Sequence, residues 1–162
     1  MIFVTIGTQL PFDRLIKAVD QLASEMKETE FIAQTIKGHY QPKYMKTVYD
    51  LSPTKFTELS KKAQIIISHA GMGTILSALM VEKPILVMPR LLKHKEIRSD
   101  HQIATANTLE DLRYINVAYS TAELKSKVRD MINNPAPLHK IGNFASDELI
   151  KSITEFLDKS KK

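Results

Sequence analysis

Two loops in this sequence place glycine where a strand hands over to a helix. Gly7-Thr8-Gln9 follows the β-branched run Ile2-Phe3-Val4-Thr5-Ile6, and Ser68-His69-Ala70-Gly71-Met72-Gly73-Thr74 follows Ile65-Ile66-Ile67. The chain has only five glycines, and three of them fall in these two loops. Glycine admits a second group close to the backbone, so the clustering points to close approach rather than to turn-making in general. A glycine loop that opens a helix also leaves N–H groups unpaired at the positive end of the helix dipole, a site that favours phosphate. The Thr74 hydroxyl would add a donor. A plain tight turn is the alternative reading. The loop lacks the Gly-Lys-Ser/Thr of a Walker A loop, and Thr74-Ile75-Leu76 offers no third glycine to complete a dinucleotide fingerprint.

His69 ends its strand, where a side chain projects toward a bound ligand; a satisfied structural histidine is the competing reading. Asp100-His101-Gln102 opens a helix just after the basic stretch that holds Arg90, Lys93, Lys95 and Arg98. A glutamine amide gives and takes hydrogen bonds at once, which suits a sugar hydroxyl. The same three residues would also serve as a routine helix start, with Asp100 as its N-cap. The basic stretch reads either as a solvated loop or as a surface facing a lipid phosphate or an anionic membrane. The five histidines show no ligand spacing with carboxylates, and cysteine is absent, so neither a metal site nor a thiol nucleophile is expected.

The elements that must position these residues alternate along the chain. Strands are predicted at Ile2–Ile6, Glu30–Ile36, Thr47–Leu51, Ile65–Ile67, Pro84–Pro89 and Tyr114–Tyr119. Between them, Phe12, Leu15, Ile16, Val19, Leu22, Ala23 and Met26 recur at helical spacing behind Pro11. Further helices are predicted over Pro53–Ala63, through Thr74, Leu76, Leu79 and Met80, after Asp100, and from Thr121 to about Met131. A last amphipathic helix would use Leu149, Ile150, Ile153, Phe156 and Leu157. Repeated strand–helix units of this length predict an α/β, Rossmann-like, mainly parallel sheet with helices on both faces, as a single domain over 1–162. Ligands of such sheets bind beyond the carboxyl ends of the strands, where both glycine loops lie.

The 162 residues are enough for one self-standing core, with 43% hydrophobic and 25% charged residues. No apolar run reaches the length of a membrane span, and Met1 leads straight into a strand, so a cytoplasmic, soluble chain is expected. The balance of 23 Lys and Arg against 18 Asp and Glu leaves a net charge of +5, part of it at Lys159, Lys161 and Lys162. A basic excess favours an anionic partner. Nucleic acid is disfavoured, because only 7% of residues are aromatic and no basic–aromatic stripe exists on which bases could stack.

Ser68 to Thr74, then Lys83-Pro84-Ile85-Leu86-Val87-Met88-Pro89-Arg90, then Asp100-His101-Gln102, resembles the C-terminal, donor-binding domain of family 28 glycosyltransferases. Phe3-Val4-Thr5-Ile6-Gly7-Thr8 resembles the same family's first strand and loop, so the likeness runs along nearly the whole chain. The resemblance implies one half of a GT-B architecture, whose active site lies between two Rossmann-like halves. It looks like the separately encoded subunit of two-part transferases, such as the cytosolic subunit of the enzyme that adds the second GlcNAc to the dolichol-linked precursor. Met72-Gly73-Thr74 and the Met-Pro-Arg ending look most like a bacterial exopolysaccharide branch, in which a membrane-anchored partner supplies the acceptor-binding half.

By that resemblance, Gly7 and Thr8 would lie against the donor diphosphate or sugar, and His69, Gly71, Met72, Gly73 and Thr74 would form the diphosphate loop. Asp100, His101 and Gln102 would face the transferred sugar. Many family members hold the ribose with a Glu in the helix after the glycine loop; Ser77 stands there in this chain and would make a weaker contact. The implied activity is a UDP-sugar-dependent, inverting hexosyltransferase acting on a polyprenyl-diphosphate-linked acceptor in exopolysaccharide or capsule synthesis. UDP-sugar is its substrate, and neither cofactor nor metal is implied. The general base would sit on the partner, and the chain would be held at the inner membrane face through that partner. The alternative is a non-enzymatic nucleotide-binding regulatory module. Nucleotide-sugar 2-epimerases share the two-half architecture but carry both halves on one longer chain.

Overall fold

The computed structural model describes residues 1–135 together with His139, Ile141, Gly142, Lys151 and Thr154. Six strands, β1 (Ile2–Thr5), β2 (Phe31–Gln34), β3 (Lys46–Val48), β4 (Ile65–His69), β5 (Ile85–Met88) and β6 (Asn116–Val117), form one sheet in the order β3-β2-β1-β4-β5-β6. Every neighbouring pair is parallel. Among the described residues, α1 (Asp13–Glu25), α2 (Pro53–Lys62), α3 (Met72–Met80) and α4 (His101–Asp111) lie between strands, and α5 (Thr121–Asn133) follows β6.

Alternation along the strands divides the core into two layers. Ile2, Val4, Ile65, Ile67, Leu86 and Met88 point to one face and pack with Leu15, Val19 and Leu22 of α1 and Leu124 and Val128 of α5. Phe3, Ile66, Ile85 and Val87 point to the other, against Leu59 of α2, Ile75, Ala78 and Leu79 of α3 and Ala106 of α4. Each such side chain, fully buried, contributes about 1.5–3 kcal/mol of apolar transfer. A sheet buried on both faces needs strands that are apolar throughout, as β1 and β4 are.

The doubly wound α/β sheet follows the sequence expectation, with local corrections. β6 is only two residues long, because it is an edge strand paired with β5 alone and the chain turns at once into α5. α5 starts at Thr121 as expected, capped by Ser120, whose hydroxyl accepts from Glu123 N–H at 3.2 Å. Leu76 and Met80 lie on the exposed side of α3, whose buried side is Ile75, Ala78 and Leu79. The basic loop after β5 contains a short 3₁₀ turn at Leu92–His94. The expected last-helix residues Leu149, Ile150, Ile153, Phe156 and Leu157, and the tail lysines, lie outside the described residues.

Candidate functional site

The connections from β1 and β4 leave the sheet on opposite faces, through α1 and α3, so a crevice opens beyond the carboxyl ends of these neighbouring strands. A cavity of about 700 Å³ occupies it. One wall is Gly7 to Leu10 with His69, Gly71, Gly73 and Thr74; the facing wall is Arg90, Ile97 to Ser99, His101 and Gln102. Segments far apart in the sequence therefore meet in one site.

The glycines have a different first purpose from the one read in the sequence. A Cβ on Gly7 would stand 3.1 Å from His69 Cε1, and a Cβ on Gly71 would run into Nε2 of the same ring. What approaches these two backbones is the imidazole of His69, packed between them. Gly7 also sits at φ +75°, where an L side chain is strained. Gly73 alone faces open space. At the start of α3, Gly71 N–H donates to His69 C=O and Thr74 N–H to Gly71 C=O. The N–H groups of Met72 and Gly73 remain without an acceptor among the described residues.

His69 is neutral at physiological pH. Burial, reinforced by the charge of Arg90, lowers its pKa to about 4. Ser68 Oγ lies 3.3 Å from Nδ1 and donates its own proton to Thr5 C=O at 2.8 Å, which assigns the ring proton to Nδ1 and leaves a lone pair on Nε2. Such a ring accepts a hydrogen bond and offers no charge to a phosphate. A diphosphate would be met instead by the N–H groups of Met72 and Gly73 and by the hydroxyls of Thr8 and Thr74.

Beneath the cleft a polar floor fixes the first loop. Thr5 Oγ1 donates to Gln34 Oε1 at 2.6 Å, and Gln34 Nε2 donates to Gly7 C=O at 3.2 Å. Gln34 ends β2 and carries no motif, so sequence reasoning had no signal for it. The facing wall is held by charge. Arg14 of α1 forks onto both carboxylate oxygens of Glu96 at 2.8 Å and reaches Pro89 C=O at 2.9 Å. Burial would push the Glu96 carboxyl up, but hydrogen bonds from Arg14 and Leu91 N–H and the Arg14 and His94 charges outweigh it and hold it below its ordinary range.

Several expected site residues are placed differently. Arg90 is only 3% exposed, so it is no membrane-facing residue; its guanidinium points inward onto backbone carbonyls. Lys93, Lys95 and Arg98 are exposed, and Arg98 reaches the cleft wall. Asp100 holds the N-cap position of α4 as expected, but its carboxylate makes no capping bond and accepts instead from Leu92 N–H at 2.8 Å; neither its side chain nor that of Met72 lines the cleft. Gln102 Oε1 accepts from Arg90 N–H at 3.0 Å, so only its amide nitrogen remains to donate into the cleft. Ser77 Oγ donates to Gly73 C=O at 2.7 Å within its own helix. Leu10, Ile97 and Ser99 line the cleft without having been singled out, since their types carry no chemistry legible in isolation.

Residues 1–158 match the glycosyltransferase family 28 C-terminal domain. A UDP-N-acetylglucosamine transferase subunit, ALG13 of Debaryomyces hansenii, is 25% identical over 95 residues, covering 54% of this chain and 42% of that protein. The chain thus spans about two-fifths of the length of this curated relative. The solution structure of an ALG13 superposes with a TM-score of 0.59 at 18% identity, covering 94% of this chain and 93% of that one. A UDP-GlcNAc 2-epimerase from Neisseria meningitidis, solved with UDP-GlcNAc bound, superposes with a TM-score of 0.64 at 15% identity, covering 98% of this chain but 44% of the epimerase.

Proposed function

The chain belongs to the glycosyltransferase family 28 C-terminal domain family, and from that premise we propose that it is the donor-binding half of a two-part, inverting, UDP-sugar-dependent hexosyltransferase. The observation that carries this reading is the cleft at the switch point between β1 and β4, where the open start of α3 meets the hydroxyls of Thr8 and Thr74. In the transfer, an acceptor hydroxyl attacks the anomeric carbon of the donor, the bond to the β-phosphate oxygen breaks, and UDP leaves with the bonding pair. The N–H groups of Met72 and Gly73 would stabilise the charge that grows on that phosphate. Gln102 Nε2 and His101 would donate to the sugar, and Ser77 Oγ, whose proton is held by Gly73 C=O, would accept from a ribose hydroxyl.

The acceptor's proton needs a base, and no carboxylate stands among the described residues that line the cleft. His69, with a pKa of about 4, is poorly matched to the task at neutral pH. The base therefore belongs to the partner half. Leu10 lines the cleft, and exposed Tyr49, Met72 and Leu92 likewise follow the carboxyl ends of β3, β4 and β5, apolar surface on that edge of the sheet that suits such a partner. Lys93, Lys95 and Arg98 form no ion pair among the described residues and would face the phosphates of a polyprenyl-linked acceptor or the inner membrane surface. An exopolysaccharide or capsule pathway is the setting these features suit. Among the described residues no helix is long and apolar enough to cross a membrane, which accords with peripheral attachment through a partner.

A thermal-shift and calorimetric panel of UDP and UDP-sugars tests the reading. A ligand at ~100 times its dissociation constant stabilises the chain by roughly 2.7 kcal/mol, readily seen as a raised melting temperature. No shift and no heat with any member would remove it. The missing carboxylate also favours a second reading, a nucleotide-binding regulatory module. Transfer that appears on co-expression with a membrane-anchored partner separates the two, since the module would bind UDP yet never support transfer.

A further inference from the structure

Arg90 stands two residues past β5, at the root of the loop that carries the exposed lysines, yet it is buried. Its two terminal nitrogens donate to Pro11 C=O at 2.6 Å, Leu10 C=O at 2.7 Å, Ile6 C=O at 3.0 Å and Glu96 C=O at 3.4 Å. The guanidinium lies 4.7 Å from the centroid of the Phe12 ring, and the Arg90 N–H is held by Gln102 Oε1. Three of the four carbonyls belong to the connection between β1 and α1, which is one wall of the cleft; Glu96 and Gln102 belong to the other. One side chain therefore ties the two walls together.

A second property follows from the same contacts. The terminal nitrogens are saturated by carbonyls, so the fork has no N–H there left to grip a ligand. Arg90 forms no ion pair among the described residues, because the nearby Glu96 is engaged by Arg14. Its charge is solvated by neutral dipoles; the Glu96 carboxylate acts on it only at a distance and is bonded to Arg14, so two arginines share one carboxylate and the cluster keeps one net positive charge. A buried, unneutralised cation is costly to keep. A structural staple could be built without that charge; a site for a polyanion gains from it.

We propose that Arg90 is a positioning residue for a donor diphosphate: it locks the Gly7–Pro11 loop against the Glu96–Gln102 segment and leaves one unneutralised positive charge in the cleft wall. The inference rests on the donor-binding reading and extends it, by assigning diphosphate recognition to a residue that does not touch the ligand. The charge acts on phosphates at a distance, so its loss must discriminate between ligands that differ in phosphate.

The test is titration of the full chain with uridine and with UDP, in wild type, Arg90→Lys and Arg90→Gln. Arg90→Gln should weaken UDP about tenfold or more while uridine changes little, since an uncharged ligand does not feel the lost charge. Arg90→Lys keeps the charge and loses the fork, and should fall between wild type and Arg90→Gln for UDP. Independently, the His69 imidazole, followed by NMR, should titrate near pH 4 in wild type and Arg90→Lys and move upward in Arg90→Gln. Should Arg90→Gln fail to fold, Arg90→Lys decides: UDP binding equal to wild type overturns the proposal. Equal weakening of uridine and UDP overturns it too, leaving Arg90 a staple of the fold. A wild-type chain that binds neither ligand rejects the donor-binding reading itself, and a chain that binds UDP with no preference over uridine rejects only the role given to Arg90.

Discussion

The two walls of the cleft are built by opposite means. The wall around His69 is made by omission: Gly7 and Gly71 lack the atoms that would collide with the imidazole, and the ring fills the space between their backbones. The wall from Pro89 to Gln102 is made by cross-linking, with Arg14, Glu96, Arg90 and Gln102 spending side-chain donors and acceptors on each other and on backbone. The first wall tolerates no added atom at Gly7 or Gly71, and the second no lost donor. A close-packed wall has one shape, whereas a cross-linked wall keeps its shape only while its charged groups stay ionised and hydrogen-bonded.

The sharpest way to break this contrast is to add one methyl group. Gly71→Ala should destabilise the chain by about 3 kcal/mol, the cost of overpacking a filled site, and should abolish UDP binding as the ring is expelled. Gly73→Ala adds the same methyl where nothing lies within 4 Å, so its stability should stay level or rise by up to about 1 kcal/mol. Equal melting temperatures for the two variants would refute the packing account of the first wall.

Acid should weaken the two walls in sequence. His69 has its folded pKa lowered to about 4 from the ordinary 6.5, so the unfolded chain takes up the proton first as pH falls. Stability is full above pH 6.5 and declines as pH drops toward 4, by about 3 kcal/mol in all. Glu96 acts later: its folded pKa lies below the ordinary 4.5, so its contribution is intact above that value and is lost only on further acidification. Denaturant midpoints between pH 6.5 and pH 4 should therefore slope in wild type and flatten in His69→Gln. A slope unchanged in His69→Gln would place the acid sensitivity elsewhere.

Glu96→Gln breaks the second wall directly. It leaves Arg14 with a weaker acceptor in a half-buried site and should cost about 2 kcal/mol, visible in the denaturant midpoint at neutral pH. A loss under 0.5 kcal/mol would mean that the wall stands on its backbone alone. The smallest effect belongs to Ser77→Glu, which puts a carboxylate where the family resemblance would place a ribose contact. UDP should bind a few-fold more tightly, as one charge-assisted hydrogen bond replaces a neutral one. Unchanged affinity would place the ribose elsewhere.

The sequence carried the fold well because both of its signals are local. The apolar run of Ile65 to Ile67 and the helical spacing from Phe12 to Met26 come from burial, and each can be read within a few turns of chain. The edge strand expected over Tyr114–Tyr119 is only Asn116 and Val117 in the ladder, because buried Ile115 and Ala118 have the residue types of a strand without its pairing. Of the site, the glycine loops and Gln102 could be found from their types and positions. Arg90 could not be assigned correctly, because a basic residue beside Lys93 and Lys95 looks solvated until the carbonyls of Ile6, Leu10 and Pro11 are seen to surround it. Gln34 and the Arg14–Glu96 pair were invisible, as nothing in their neighbours announces a partner as much as 82 positions away.

The sequence by itself determined the alternation of strands and helices, the place of two glycine loops at the carboxyl edge of the sheet, and the family these loops resemble. Hydrophobic periodicity and glycine are properties of short segments, so they survive without tertiary contacts. Only the tertiary structure decided what each polar group does there. It turned the glycines toward His69, took the proton from that ring by burial, spent the carbonyl of Gln102 on Arg90, and drew Arg90 inward. Such assignments depend on which donor meets which acceptor across the fold, and on how much water is left between them.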